Sequence, residues 1–299
     1  MTVETLLSYV LANVMWRFKM KKRKEITHVL RDSWIKNWKI ENERSIHYLS
    51  YTKTQDLKSM GAKSRTPDYQ RPGQDRNLLS TNERLFFLQL LFNHKITWIK
   101  EQYPLLPIDR AMAVAKVLKL RYPTYPYTAS VPVVMTSDFY CGTIFGTSVV
   151  YSIKDERVLG TSLELTEQKI KNLEAKQKIE KLFWRADNVN WHIISSKSIK
   201  TVFSRNLEKL APYIRLNLEY ELIIVAWLKL FSLYISNYPI AQFRDAFDNT
   251  AQAISVPYAV VVSMFQHAVW HRIIRVDLNQ PLHYEKSICG YKLGVNRHG

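Results

Sequence analysis

The stretch from Ser80 to Asn93 constrains this chain more than any other. Ser80 and Glu83 stand three apart, the spacing of a capping box, in which a hydroxyl and a carboxylate each satisfy a free backbone N–H at a helix start. Leu85, Phe86, Phe87, Leu88, Leu90, Leu91 and Phe92 follow and leave almost no polar face. A helix that is apolar nearly all round has to be enclosed by other elements.

The segments after it supply candidates. Ile96 to Leu106 reads as a strand ended by Pro104 and Pro107, and Asp109 to Leu120 as a helix with Asp109 as its N-cap. A Pro- and Tyr-rich loop, Tyr122 to Tyr127, leads to two strands, Val131 to Tyr140 and Ser148 to Lys154, joined through Gly142 and Gly146. Glu164 to Trp184 is a long charged helix with core positions at Ile170, Leu173, Ile179 and Leu182, and Val189 to Ser195 is a further strand. Strand 148–154, helix 164–184 and strand 189–195 make a βαβ unit with an expected right-handed crossover. Residues 78–205 thus predict an α/β domain with a mixed sheet flanked by helices.

Residues 1–77 read as a basic arm packed on that domain. Ser45 to Tyr51 alternates like a strand, and Lys58 to Gln74, with its Pro and Gly residues, reads as a loop or extended arm. Leu6 to Trp16 is apolar and precedes Arg17, Lys19, Lys21, Lys22, Arg23 and Lys24, the reverse of a secretory signal. It reads as a short amphipathic helix whose basic tail is either a solvated helix end or a phosphate contact. Residues 206–299 are mostly helical: Leu216 to Ser236, Ile240 to Ala253 and Pro257 to Ile273, then a hairpin within Arg275 to Tyr284 around Asn279-Gln280. That is the element order of a winged helix-turn-helix; a small helical bundle is the alternative.

Charge narrows the partners. The 299 residues carry 43 Lys and Arg against 26 Asp and Glu, a net +17, which favours a polyanion: nucleic acid or an anionic membrane surface. No uninterrupted apolar run approaches the roughly 18 residues of a membrane span. Cys141 and Cys289 make no disulfide framework, and a reducing cytoplasm is the expected compartment. There is no phosphate-cradling glycine loop, no dinucleotide motif and no serine nucleophile elbow.

The hairpin of strands 131–140 and 148–154 offers carboxylate chemistry. Hydrolysing a phosphodiester calls for charge neutralisation at phosphorus and a positioned water, which divalent ions on carboxylates supply. Mg²⁺ typically takes one or two carboxylates and completes its shell with water and phosphate. Asp138 ends the apolar strand, Lys154 ends the next one, and Glu83 on the buried helix offers a second carboxylate. Alternation puts Ser152 and Lys154 on one face and leaves the Ile153 carbonyl to join a metal shell. Each residue also has a structural role open to it: Asp138 in a turn, Lys154 as a solvated strand end, Glu83 as a cap.

Four segments carry a wider similarity: Leu78-Leu79-Ser80-x-x-Glu83; Ile99-Lys100-Glu101-Gln102-Tyr103-Pro104-Leu105-Leu106-Pro107; Met135-Thr136-Ser137-Asp138-Phe139; and the Val-rich strand ending Ile153-Lys154. Together with Glu180, Phe183-Trp184 and Asn190-Trp191, they resemble the TnsA endonucleases of Tn-seven-like transposons. The resemblance runs from about Asn77 to Tyr213 and more faintly beyond. It implies a restriction-endonuclease-like domain followed by a winged-helix domain, with Glu83, Asp138 and Lys154 catalytic. Glu83, Asp138 and the Ile153 carbonyl would hold one or two Mg²⁺ ions, for which Mn²⁺ would substitute. It further implies cleavage of the 5′ ends of an element in double-stranded DNA, beside a TnsB-like transposase and a TnsC-like ATPase, in the bacterial cytoplasm at the nucleoid. A non-catalytic DNA-binding scaffold and a stand-alone restriction-type nuclease are the alternatives.

The chain departs from that pattern at Ser152, where relatives carry Gln, and before Asn77, where a Gly-Arg-Ser-His type segment is missing. Glu180 matches a family acid, but on a charged helix it reads equally as a solvated charge. His267 and His271 have helical metal-ligand spacing, yet their place near a helix end points to an interaction with its dipole. Trp34, Lys36, Trp38, Lys39, Arg44 and Tyr48 interleave charge and rings in a way that suits either DNA stacking or interior packing.

Overall fold

The computed structural model describes residues 26–56, 62–126, 128, 130–155 and 167–295. The N-terminal apolar stretch with its basic tail, and the expected start of a helix at Glu164, lie outside the described residues.

The arm opens with helix α1 (His28–Arg44), whose N-cap Thr27 accepts the Leu30 N–H at 3.2 Å. Ser45 to Tyr51 is not a strand. Neighbouring side chains take up its backbone groups instead: Asn42 Oδ1 accepts the Leu49 N–H at 2.9 Å, Trp38 Nε1 donates to the Leu49 carbonyl at 2.7 Å, and Gln74 Nε2 donates to that of Tyr48 at 2.9 Å. The expected loop before Gln74 contains strand β1 (Ser64–Pro67), antiparallel to β2 (Asp75–Leu78). Strand β2 runs across the boundary expected at 77/78.

Helix α2 (Thr81–Phe92) is enclosed, as its composition demands: Leu85, Phe86, Phe87, Leu88, Leu90 and Leu91 are all buried. Strand β3 (Ile96–Pro104) follows, then α3 (Ile108–Val117). Pro107, rather than Asp109, occupies the N-cap of α3. Asp109 lies in the first turn, where its charge meets the exposed N–H ends. Strand β4 (Thr136–Thr143) begins later than Val131, because Pro132 donates nothing and the Val133 N–H is spent on the Pro123 carbonyl at 3.0 Å. Strand β5 (Ser148–Lys154), helix α4 (Glu167–Arg185) and strand β6 (Asn190–Ser195) complete a mixed four-stranded sheet of order β3-β4-β5-β6, with the last pair parallel.

The sheet has helices on both faces. Ile99, Phe139, Cys141, Val149 and Ile153 pack with α2 and with α5 (Thr201–Leu210), while Val150 packs with Ala111 and Ala115 of α3 and Ile179, Phe183 and Trp184 of α4. This is the α/β arrangement read from the sequence. The boundary expected at 205/206 falls inside α5, which packs on both α2 and α8, and the apolar cluster on that face continues to Tyr291.

Beyond it come α6 (Leu218–Asn237), α7 (Phe243–Ala253) and α8 (Tyr258–Trp270). The hairpin expected within Arg275 to Tyr284 does not form. Strand β7 (Ile274–Arg275) pairs with β8 (Gly294–Val295), and Asn206 clamps the intervening turn. Its Nδ2 donates to the carbonyls of Leu278 (2.9 Å) and Gln280 (2.7 Å), and its Oδ1 accepts the Leu282 N–H (3.1 Å). Among the described residues no single helix is long and apolar enough to cross a membrane.

Candidate active site

The site lies where a ladder stops. Strands β4 and β5 pair from Gly142–Ser148 to Phe139–Tyr151 and no further. Asp138 is the next residue on β4, so it stands at the fork between the strands, two residues inside β4. Its Oδ2 accepts the Ile153 N–H at 2.6 Å and lies 3.3 Å from Lys154 Nζ. A carboxylate thus replaces the main-chain acceptor that a continued ladder would have supplied. Within a strand the N–H and C=O of one residue point the same way. The Ile153 carbonyl therefore faces the same gap.

Glu83 reaches the gap from the start of α2. Ser80 Oγ accepts the Glu83 N–H at 3.1 Å, half of the expected capping box. The other half differs: Glu83 Oε2 accepts the N–H of Leu79 at 2.9 Å, and Oε1 accepts the Ser80 hydroxyl at 3.1 Å. A further donor, Gln102 Nε2, meets Oε2 at 3.1 Å. Burial, and then the negative charge of Asp138, push the Glu83 carboxyl up to about 7. The helix cap and the site carboxylate are therefore one residue.

Lys154 completes the group. Burial works against its charge, but Asp138, Glu180 and Glu83 together outweigh that and hold its ammonium above the ordinary lysine range. The solvated reading of Glu180 fails: α4 carries it into the interior, 5% exposed, facing Lys154 and Asp138. Burial pushes its carboxyl up to about 7, although Lys154 pulls the other way. Ser152 is also buried, and among the described residues its hydroxyl has no hydrogen-bond partner.

These shifts have a pH signature. Glu83 and Glu180 hold their protons up to about 7 in the folded chain, against an ordinary value of 4.5. Their contribution to stability is then full below the ordinary value and is lost as pH rises through about 7. The metal-free protein is expected to melt at a lower temperature at pH 7.5 than at pH 5, with a smaller difference in Glu83→Gln. A melting temperature equally pH-dependent in both proteins would contradict the assignment for Glu83.

Gln102 was not among the residues expected at the site. It has φ +48°, a left-handed conformation uncommon for a residue with a side chain. This breaks the alternation of β3: Glu101 and Gln102 both turn to the α2 side, to Arg76 and Glu83, while Tyr103 packs against Trp184 of α4. The Thr136 hydroxyl donates to Gln102 Oε1 at 3.1 Å and fixes the amide's orientation. Next to it, the wholly buried Arg76 bridges Asp68 (2.6 Å) and Glu101 (2.8 Å) and donates to the Ile99 carbonyl (2.9 Å). The only advance sign of either was the distinctive Ile99 to Pro107 segment, which contains Glu101 and Gln102.

The other candidates are structural. The ring nitrogens of His267 and His271 meet the carbonyls of Tyr213 (2.9 Å) and Ile214 (2.8 Å). Trp38 packs edge-on against Tyr48, Tyr51 and Tyr103. Among the described residues no group of three or more His, Cys, Asp or Glu side chains forms a metal-binding cluster. Glu83 and Asp138 form a carboxylate pair, which suits an ion that keeps water or phosphate oxygens in its shell.

No family model matches the chain. It is 27% identical over 162 residues to the transposon Tn7 transposition protein TnsA of Escherichia coli, covering 54% of this chain and 55% of that protein. The chain thus spans about half the length of the curated relative it matches. Over that stretch the chain is similar to TnsA.

Proposed function

We propose that this chain is a metal-dependent DNA endonuclease that cuts the 5′ ends of a transposon, on the non-transferred strands. The observation that carries this reading is the meeting of Glu83, Asp138 and Lys154 at the β4–β5 fork, in a chain similar to a transposition protein. Its sheet with helices on both faces would be a restriction-endonuclease-like domain, and α6 to β8 a winged helix.

The residues fit a hard divalent ion. Burial, and then the facing carboxylate of Asp138, raise Glu83, which is the situation a cation relieves. Mg²⁺ or Mn²⁺, held by Glu83, Asp138 and the Ile153 carbonyl, would supply charge neutralisation at the phosphate and a more acidic water. Lys154, kept protonated by its acidic neighbours, would meet the scissile phosphate. Gln102 would hold Glu83 in place. A TnsB-like transposase cutting the 3′ ends and a TnsC-like ATPase would complete the assembly, in the bacterial cytoplasm at the nucleoid.

Cleavage of labelled transposon-end duplex, in Mg²⁺ and in Mn²⁺, with and without the neighbouring transposase, tests the reading. Nicks on the 5′ strand are expected only when the transposase is present. Cutting by the chain alone would identify a stand-alone restriction-type nuclease. Binding without cutting under either condition would identify a non-catalytic scaffold.

A further inference from the structure

We propose that a basic groove along the free edge of β3 holds the phosphodiester backbone of DNA next to the cut. The inference rests on the reading of this chain as a DNA-cutting subunit and adds where the duplex lies.

β3 is an edge strand, and edge strands leave carbonyl groups without a ladder partner. Here arginines take part of that role. Arg71 donates to the Thr97 carbonyl at 3.1 Å and Arg76 to that of Ile99 at 2.9 Å. Two adjoining cavities, of about 480 and 460 Å³, lie beside this edge and share Gln70 and Arg215. Arg71, Arg76, Lys100, Arg215 and Arg272 line them, and no lining residue is Asp or Glu.

Two of these cations have unmet demand. Lys100 Nζ sits 5.1 Å from the ring centre of Trp98, 5.6 Å from Tyr103 and 5.7 Å from Tyr48. Ring faces stabilise an ammonium only weakly and accept none of its strong hydrogen bonds. Burial alone pulls the Lys100 pKa down. Arg215 spends one nitrogen on the Gln70 carbonyl at 3.0 Å. Among the described residues neither makes an ion pair with a carboxylate, in a chain of net charge +17. An anion lying in the groove would satisfy both.

Spacing favours a nucleic-acid backbone. Strands rise about 3.3 Å per residue, so Lys100 lies about 7 Å and Ile96 about 20 Å along β3 from Gln102, which touches Glu83. A DNA strand rises about 3.4 Å per nucleotide, which places the groove roughly two to six nucleotides from the cut. The rings around Lys100 are already engaged with its ammonium, so the groove suits phosphates better than stacked bases.

The test is fluorescence anisotropy of a labelled 30-base-pair duplex with the full chain, without metal, across a salt series. Lys100→Met with Arg215→Met should weaken binding by about tenfold or more near 0.1 M salt. It should also reduce the slope of log affinity against log salt by about 2, at an unchanged melting temperature. Lys100→Arg, which keeps the charge, should bind much as the wild type does and guards against a packing defect. Wild-type affinity and slope in the double variant would overturn the inference while leaving the cutting assignment intact. Groove-dependent binding by a protein that never cuts would instead remove the endonuclease reading and leave the groove. Loss of poly-glutamate binding with duplex binding unchanged would assign the groove to an acidic protein segment, and overturn the proposal.

Discussion

Asp138→Asn is expected to reduce cleavage of the 5′ strand by about 1,000-fold or more, while DNA binding and the melting temperature stay close to wild type. The substitution keeps an oxygen to accept the Ile153 N–H, now 2.6 Å from the carboxylate, so the β4–β5 fork should persist. What it removes is one of two negative charges available to a cation. Charge stabilisation by a bound ion supplies several kcal/mol at a phosphoryl centre, and each 1.36 kcal/mol is about tenfold in rate. Cleavage within tenfold of wild type, at saturating Mg²⁺ and with the transposase present, would remove Asp138 from the site. Lys154→Met should lose activity too, and excess Mg²⁺ should not restore it, since Lys154 stands beside the ion-binding groups and is not one of them.

Arg76→Met carries the largest expected cost in stability, about 3–5 kcal/mol, the range for removing one member of a buried charge network. Arg76 and Asp68 have fully buried side chains, and that of Glu101 is 1% exposed. Without the guanidinium, Glu101 would remain inside with no cation, and Asp68 with only Arg71, at 3.5 Å. Protonation relieves such a charge, so the deficit should be smaller at pH 5 than at pH 7.5. Urea unfolding at both pH values measures this, and Asp68→Asn with Glu101→Gln in the Arg76→Met background should recover part of the loss. A deficit below about 1 kcal/mol at pH 7.5 would show that the network stabilises little.

How much of this was legible in the sequence depended on how local the cause was. The enclosed helix after Ser80 was plain, because its apolar run and its cap are properties of consecutive residues. The strands that flank Asp138 and Lys154 were readable for the same reason. Ser45 to Tyr51 was not: its alternation is real, but Asn42, Trp38 and Gln74 claim its backbone groups. The hairpin around Asn279 failed because Asn206, far away in sequence, holds that turn. Glu180 looked like one more charge on a charged helix, and only the packing of α4 on the sheet reveals it as buried. No rule of pattern picks out Gln102, whose part depends on one left-handed residue in an extended strand.

That residue also makes a mechanical connection. The Gln102 carbonyl accepts the Tyr51 N–H of the arm at 3.4 Å, and its amide holds the Glu83 carboxylate at 3.1 Å. Arm, edge strand and site carboxylate are linked in series through one side chain and its own backbone. Displacement of the arm would therefore break a bond to the very residue that holds Glu83.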